Sequence, residues 1–121
     1  MKLNILNADL TVCKITDINE VDFSRELVFL SKTADEISLV CESDHVPASA
    51  TDTEDGWKAL KVEGMLDFGM IGVIARISNL LARAEISIFV ISTYNTDYIL
   101  TKADQFEDAI QVLQRAGIAV E

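Results

Sequence analysis

Two short stretches between Leu66 and Leu100 carry the groups able to grip a small charged molecule. In Asp67-Phe68-Gly69-Met70-Ile71-Gly72-Val73-Ile74-Ala75, two glycines sit where a strand-like run gives way to a helix-like one. A helix start leaves backbone N–H groups without intrahelical partners and carries partial positive charge. Glycine admits a close approach to that backbone. The turn from Asp67 to Val73 therefore suits a small anion such as a carboxylate, received by the N–H groups near Met70 to Val73. The second stretch, Ser92-Thr93-Tyr94-Asn95-Thr96-Asp97, sets hydroxyls, an amide and a carboxylate between two strand-like runs. Asp97, with carbonyls near Thr93 to Asn95, suits an ammonium or guanidinium group. One stretch fits the acid end of a zwitterion and the other its cationic end, which is the outline of a binding site rather than a catalytic one.

Each of these residues also has a plainer reading. Gly69 and Gly72 serve equally to let a helix pack close to a sheet, and Asp67 serves equally as an N-cap. Asp97 is a common hairpin residue. Phe68 and Tyr94 read as ordinary surface aromatics, Trp57 as packing or interface, and Glu107-Asp108 as a solvated helix face.

Other chemistries lack their parts. His45 is the only histidine and lies in a polar stretch with no nucleophile motif beside it, and no Cys-x-x-Cys is present, so neither a metal nor a cofactor is expected. Cys13 and Cys41 lie in apolar, strand-like surroundings and read as reduced, buried small hydrophobes. The net charge is −10, spread along the chain, which argues against nucleic acid and anionic membranes as partners. The start of the chain has no sustained apolar stretch before Asp9 and does not read as a signal peptide, and no run approaches membrane-spanning length. A cytoplasmic location is expected. With half of its 121 residues hydrophobic, the chain has ample material for a packed core.

The elements that must position the two stretches follow from periodicity. Trp57 to Met65 alternates as a strand. Met70, Ile74, Ile77, Leu81 and Ala84 recur at helical spacing, which predicts a helix over Gly69–Ala84. Ile86 to Ile91 is a β-branched run fitting a buried strand, and Tyr98 to Leu100 is another, leaving Tyr94 to Asp97 as a hairpin connection. Asp104 with Glu107 reads as a capping box opening a helix over Asp104–Ala116, with Phe106, Ala109, Ile110 and Leu113 on its inner face and Gly117 at its end. Ile118-Ala119-Val120 is a last strand. This is an α+β chain whose second half has the βαββαβ order of the ferredoxin-like arrangement.

The first half is less regular. Leu10–Ile15, Leu27–Leu30 and Ile37–Cys41 read as strands, Asp17–Arg25 holds a helical turn, and Thr33 to Glu36 is a turn. From Glu42 to Asp55 the apolar pattern lapses around the only proline, which reads as a linker. The expected division is a shortened lobe with linker over 1–53 and a full domain over 54–121.

The second half resembles the ACT domain, a ferredoxin-like amino-acid-binding module. The family pattern runs Asp-x-Pro-Gly-Val-Leu-Ala, an amphipathic helix, then a small residue before Ile-x-Ile. Asp67, Gly72-Val73-Ile74-Ala75 and Ala84-Glu85-Ile86-Ser87-Ile88 stand in those places, with Ile71 where the family often has proline and Glu85 where it often has glycine. The closer resemblance is to the CASTOR-type branch of small ACT proteins. It is carried by Gly64-x-Leu66-Asp67-Phe68-Gly69-x-x-Gly72-Val73-Ile74-Ala75 and by Ile91-Ser92-Thr93-Tyr94-Asn95-Thr96-Asp97-Tyr98-Ile99-Leu100. The branch's shortened, ACT-like first half ends near Val46-Pro47, and the animal members are arginine sensors. The resemblance implies a non-catalytic regulatory module that binds a free amino acid, arginine or another small zwitterion, and signals to a separate partner protein. Its ligand residues would be Asp67, Phe68, Gly69, Met70, Ile71, Gly72, Val73, Thr93, Tyr94, Asn95, Thr96 and Asp97. Animal members look like two such units in one chain, which implies a homodimer here. The alternative is an assembly protein whose ligand site is vestigial.

Overall fold

Backbone pairing, more than side-chain pattern, decides where the strands run. The computed structural model describes residues 1–64 and 72–121. Its elements are β1 (Lys2–Ile15), β2 (Val28–Lys32), β3 (Ile37–Glu42), β4 (Asp52–Val62), α1 (Val73–Arg83), β5 (Phe89–Ser92), β6 (Asp97–Lys102), α2 (Ala103–Arg115) and β7 (Ala119–Val120), with 3-10 turns at Ile18–Glu20 and Ser43–His45. They form two compact units, one of Ala8–Trp57 and one of Met1–Asn7 with Lys58–Glu121. The first seven residues thus belong with the second half of the chain, not with the lobe expected over 1–53.

In the unit of Ala8–Trp57 the strand order is β2-β3-β1-β4. β1 and β3 are antiparallel from Leu10↔Glu42 to Ile15↔Ile37, and β2 and β3 from Val28↔Cys41 to Lys32↔Ile37. Because successive side chains in a strand alternate between faces, this register gathers Cys13, Ile15, Leu39 and Cys41 into one core. Val21, Val28, Leu30, Ile37, Val46 and Ala50 pack against it. Both cysteines are free and buried. Burial pushes the Cys13 thiol above its ordinary value and that of Cys41 up to about 12. The buried hydroxyl of Thr11 donates to Asp55 Oδ1 at 2.8 Å and lies 2.8 Å from Ser43 Oγ, so its desolvation is compensated. The expected 42–55 linker is shorter than its composition suggested. Its last residues, Asp52–Asp55, already belong to β4, and Thr51 N–H donates to Lys14 O at 2.9 Å, so pairing with β1 overrides their polarity.

In the other unit the order is β7-β1-β4-β6-β5, with Lys2–Leu3 of β1 parallel to Ala119–Val120 of β7. Residues 2–7 thus add a strand beside the βαββαβ elements that the sequence predicted. The end of this strand is tied down: Glu63 N–H donates to Lys2 O at 2.9 Å, and Lys2 Nζ lies 2.7 Å from Glu121 and 3.6 Å from Glu63. Ile77 and Leu81 of α1 and Phe106, Ala109, Ile110 and Leu113 of α2 are buried in one core with Leu3, Leu60, Val62, Ile86, Ile99, Ile118 and Val120. Among the described residues no helix is long and apolar enough to cross a membrane.

Several boundaries depart from the sequence reading. α1 begins at Val73 rather than Gly69, and Met65–Ile71 lie outside the described residues. Ala84, expected on its buried face, is the exposed C-cap. β4 ends at Val62, not Met65. β5 begins at Phe89, not Ile86, because Glu85 and Ile86 are used to stop α1: Glu85 N–H donates to Ala82 O and Ile86 N–H to Leu81 O. The capping box does not form. Lys102 is the N-cap of α2, without a side-chain cap, and Asp104 sits one residue inside the first turn.

Candidate functional site

Gly72 holds the entry to α1 in the left-handed region, φ 85° and ψ 4°, a conformation that only glycine adopts at little steric cost. Among the described residues, nothing lies within 4 Å of where its side chain would begin. Among the described residues, then, it is the backbone turn and not close packing that requires Gly72. Among the described residues, Arg76 N–H makes the first intrahelical bond, to Gly72 O at 2.9 Å, so the amides of Val73, Ile74 and Ala75 stand at the positive end of the helical ladder. Asp67, Phe68, Gly69, Met70 and Ile71 lie outside the described residues. The N-cap position, which Asp67 was a candidate to fill, is held by Gly72.

The second stretch is a tight loop between β5 and β6. Thr93 N–H donates to Thr96 O at 2.8 Å, and the Thr93 hydroxyl donates to the same carbonyl at 3.0 Å. The next pair outward is Ser92↔Asp97, so Asp97 opens β6 rather than ending the hairpin connection. Tyr94 is 76% exposed and Asn95 is exposed, at the tip of the loop. Asp97 is half-buried. Thr96 is only 2% exposed, and its hydroxyl donates to Val62 O at 2.8 Å, at the end of β4. Beside it on the sheet, Lys61 Nζ lies 5.9 Å from the centre of the Tyr98 ring, a cation–π contact. The Thr96–Val62 bond and the Lys61–Tyr98 contact were not read from the sequence. A backbone carbonyl leaves no residue-type signal, and both contacts depend on the order in which the strands pair.

Two grooves are built from other residues. One of about 320 Å3 is lined by Lys14, Glu36, Ser38 and Asp52, and one of about 250 Å3 by Gln105, Asp108, Gln111 and Arg115. His45 is half-buried in the 3-10 turn at Ser43–His45, with Nε2 3.6 Å from Asp44 Oδ1. Among the described residues no group of three or more His, Cys, Asp or Glu is placed to hold a metal ion.

A family profile described as the ACT domain matches residues 52–115, more than half of the sequence. The chain belongs to the ACT domain family. This ACT chain is 40% identical over 60 residues to the cytosolic arginine sensor for mTORC1 subunit 1 of Homo sapiens and of Bos taurus. The match takes in 49% of this chain and 18% of those relatives, so the matched stretch spans less than a fifth of their length. Among solved structures, protein Atu0741 from Agrobacterium tumefaciens superposes with a TM-score of 0.87 at 27% identity, over 99% of this chain and 91% of that one. A structure of aspartokinase α and β subunits superposes with a TM-score of 0.66 at 16% identity, over 96% of this chain and 97% of that one, a likeness of fold. The ACT fold is thus a small α+β arrangement in this chain, as in those neighbours.

Proposed function

We propose that this ACT chain is a non-catalytic regulatory module that binds a free amino acid and passes its bound state to a separate protein. The observation that carries the reading is the left-handed Gly72 ahead of α1, with none of the described residues crowding it. It leaves three helix-start amides for a carboxylate, in the same compact unit as the Thr93–Asp97 loop. Asp97 supplies the charge for an ammonium or guanidinium group. The similarity to relatives named as arginine sensors supports a cationic amino acid as ligand. A charge-assisted hydrogen bond contributes roughly 1.5–3 kcal/mol, so a few of them give a dissociation constant between about millimolar and micromolar.

The test is a thermal-shift panel of the common amino acids, L-arginine first, followed by calorimetry of any that act. A ligand that binds only the folded chain raises its melting temperature. The expected result is a shift with one amino acid or a small related set. No shift and no heat with any of them overturns the reading in favour of an assembly protein.

A further inference from the structure

We propose that Thr96 is a positioning residue whose buried hydroxyl fastens the Thr93–Asp97 loop to the end of β4, so that the two open and close as one. The inference deepens the binding reading above, since β4 is the strand from which the chain runs on to Gly72 and α1.

The geometry makes Thr96 a hub. Its hydroxyl donates to Val62 O at 2.8 Å, across 34 residues of sequence, in a buried place. Its carbonyl accepts from both the amide and the hydroxyl of Thr93, at 2.8 and 3.0 Å, which closes the loop. Its amide lies 3.4 Å from Thr93 Oγ1. Asp97 is the next residue, fixed by its pairing with Ser92. On the other side of the bond, Val62 is followed by Glu63, whose N–H is held by Lys2 O at 2.9 Å. Val62 O accepts this bond away from water, and a buried carbonyl that loses its donor has no ready substitute. Any motion that lifts the loop must therefore break the Val62 bond, and any fraying of β4 at Val62 must release the loop.

Hydrogen exchange on the full chain without ligand is the first test. In the wild type, Thr93 N–H and Glu63 N–H should exchange through one opening, with the same dependence on denaturant. Thr93 opening about tenfold or more often than Glu63 overturns the proposal. In Thr96→Val, which keeps the shape and removes the donor, both amides should exchange about tenfold faster or more while those of Ala109–Leu113 in α2 keep their rates. Thr96→Ser, which keeps the hydroxyl, should restore both. Calorimetry with L-arginine, or with whichever amino acid acts in the panel, is the second test. Affinity should fall about tenfold or more in Thr96→Val and return in Thr96→Ser. Unchanged affinity in a folded Thr96→Val overturns the positioning role. If no amino acid binds the wild type, the binding reading falls, and the exchange rates alone judge the fastening.

Discussion

Glu85 and Gly117 occupy the same place in two copies of one helix stop. After α1, Glu85 N–H donates to Ala82 O and Ile86 N–H to Leu81 O; after α2, Gly117 N–H donates to Gln114 O and Ile118 N–H to Leu113 O. This paired bonding requires a left-handed residue just past the helix. Gly117 supplies it at φ 88°, whereas Glu85 is forced to φ 61°. A left-handed non-glycine costs about 1–2 kcal/mol, partly offset by the greater freedom that glycine loses on folding. Glu85→Gly should therefore stabilise the chain by about 0.5–1 kcal/mol, and Gly117→Ala should destabilise it by about 1–2 kcal/mol. Urea unfolding of both variants checks the pair, and a destabilised Glu85→Gly would show that the Glu85 side chain contributes more than its backbone strain costs. At the candidate site, Asp97→Asn removes a charge while keeping the shape. It should weaken amino-acid binding tenfold or more, about 1.4 kcal/mol, as read by calorimetry, and unchanged affinity overturns the role of Asp97. Gly117 was legible in the sequence because glycine signals its backbone. Glu85 was not, since no residue type announces a strained glutamate; only the family pattern marked the position as one that often holds glycine.

At the scale of elements, the helices read well because their cores recur at 3.6-residue spacing. The expected inner face of α2, Phe106, Ala109, Ile110 and Leu113, is the buried one, and Ile77 and Leu81 anchor α1. Leu81→Ala should cost about 2–5 kcal/mol, measured by chemical denaturation; a loss under half a kcal/mol would mean that the Leu81 site collapses without a cavity. The strands read less well. β4 runs through the polar residues Asp52–Gly56, and β1 starts at Lys2 in a stretch without clean alternation. Both are fixed by hydrogen bonds to partners far away in sequence, which periodicity cannot show. The cysteines give the strand unit a pH dependence. Cys41 is pushed up to about 12 from an ordinary 9.0, so the folded chain holds this proton more tightly than the unfolded chain does. The stability it contributes is complete below pH 9 and is lost as pH rises from there toward 12. Melting temperature should fall across that window, and Cys41→Ala should flatten the fall; an equally steep fall in that variant would place the titrating group elsewhere.

For the whole molecule, sequence and structure agree on family and fold class, while the homodimer is an expectation of the sequence resemblance. A homodimer would bring together two chains of net charge −10 each. That repulsion is felt over about 10 Å at 0.1 M salt and about 3 Å at 1 M. Self-association at micromolar concentration, followed by light scattering, should therefore strengthen as salt is raised. A monomer at both salt concentrations, with and without amino acids, overturns the dimer. The division of the chain was the least legible feature at this scale. Composition marks the proline-bearing stretch near Pro47, but nothing in Met1–Asn7 states that these residues belong with a unit resuming at Lys58.

That placement of the first residues has a consequence for synthesis. The strand unit is built from Ala8–Trp57, all of which are made before the bulk of the other unit. The other unit cannot close early. Lys2 and Leu3 wait for Ala119 and Val120, and Ile5 N–H waits for Glu121 O, 2.7 Å away in the finished fold. At roughly 5–20 residues per second of translation, Lys2 and Leu3 stay without their partner for on the order of ten seconds until Ala119 and Val120 emerge. The long loop closure between β1 and β7 also slows folding. During that interval Leu3 and Ile5 are open to chaperones and to other nascent chains, and the candidate amino-acid site, which lies in the late-closing unit, is unavailable until β7 has docked.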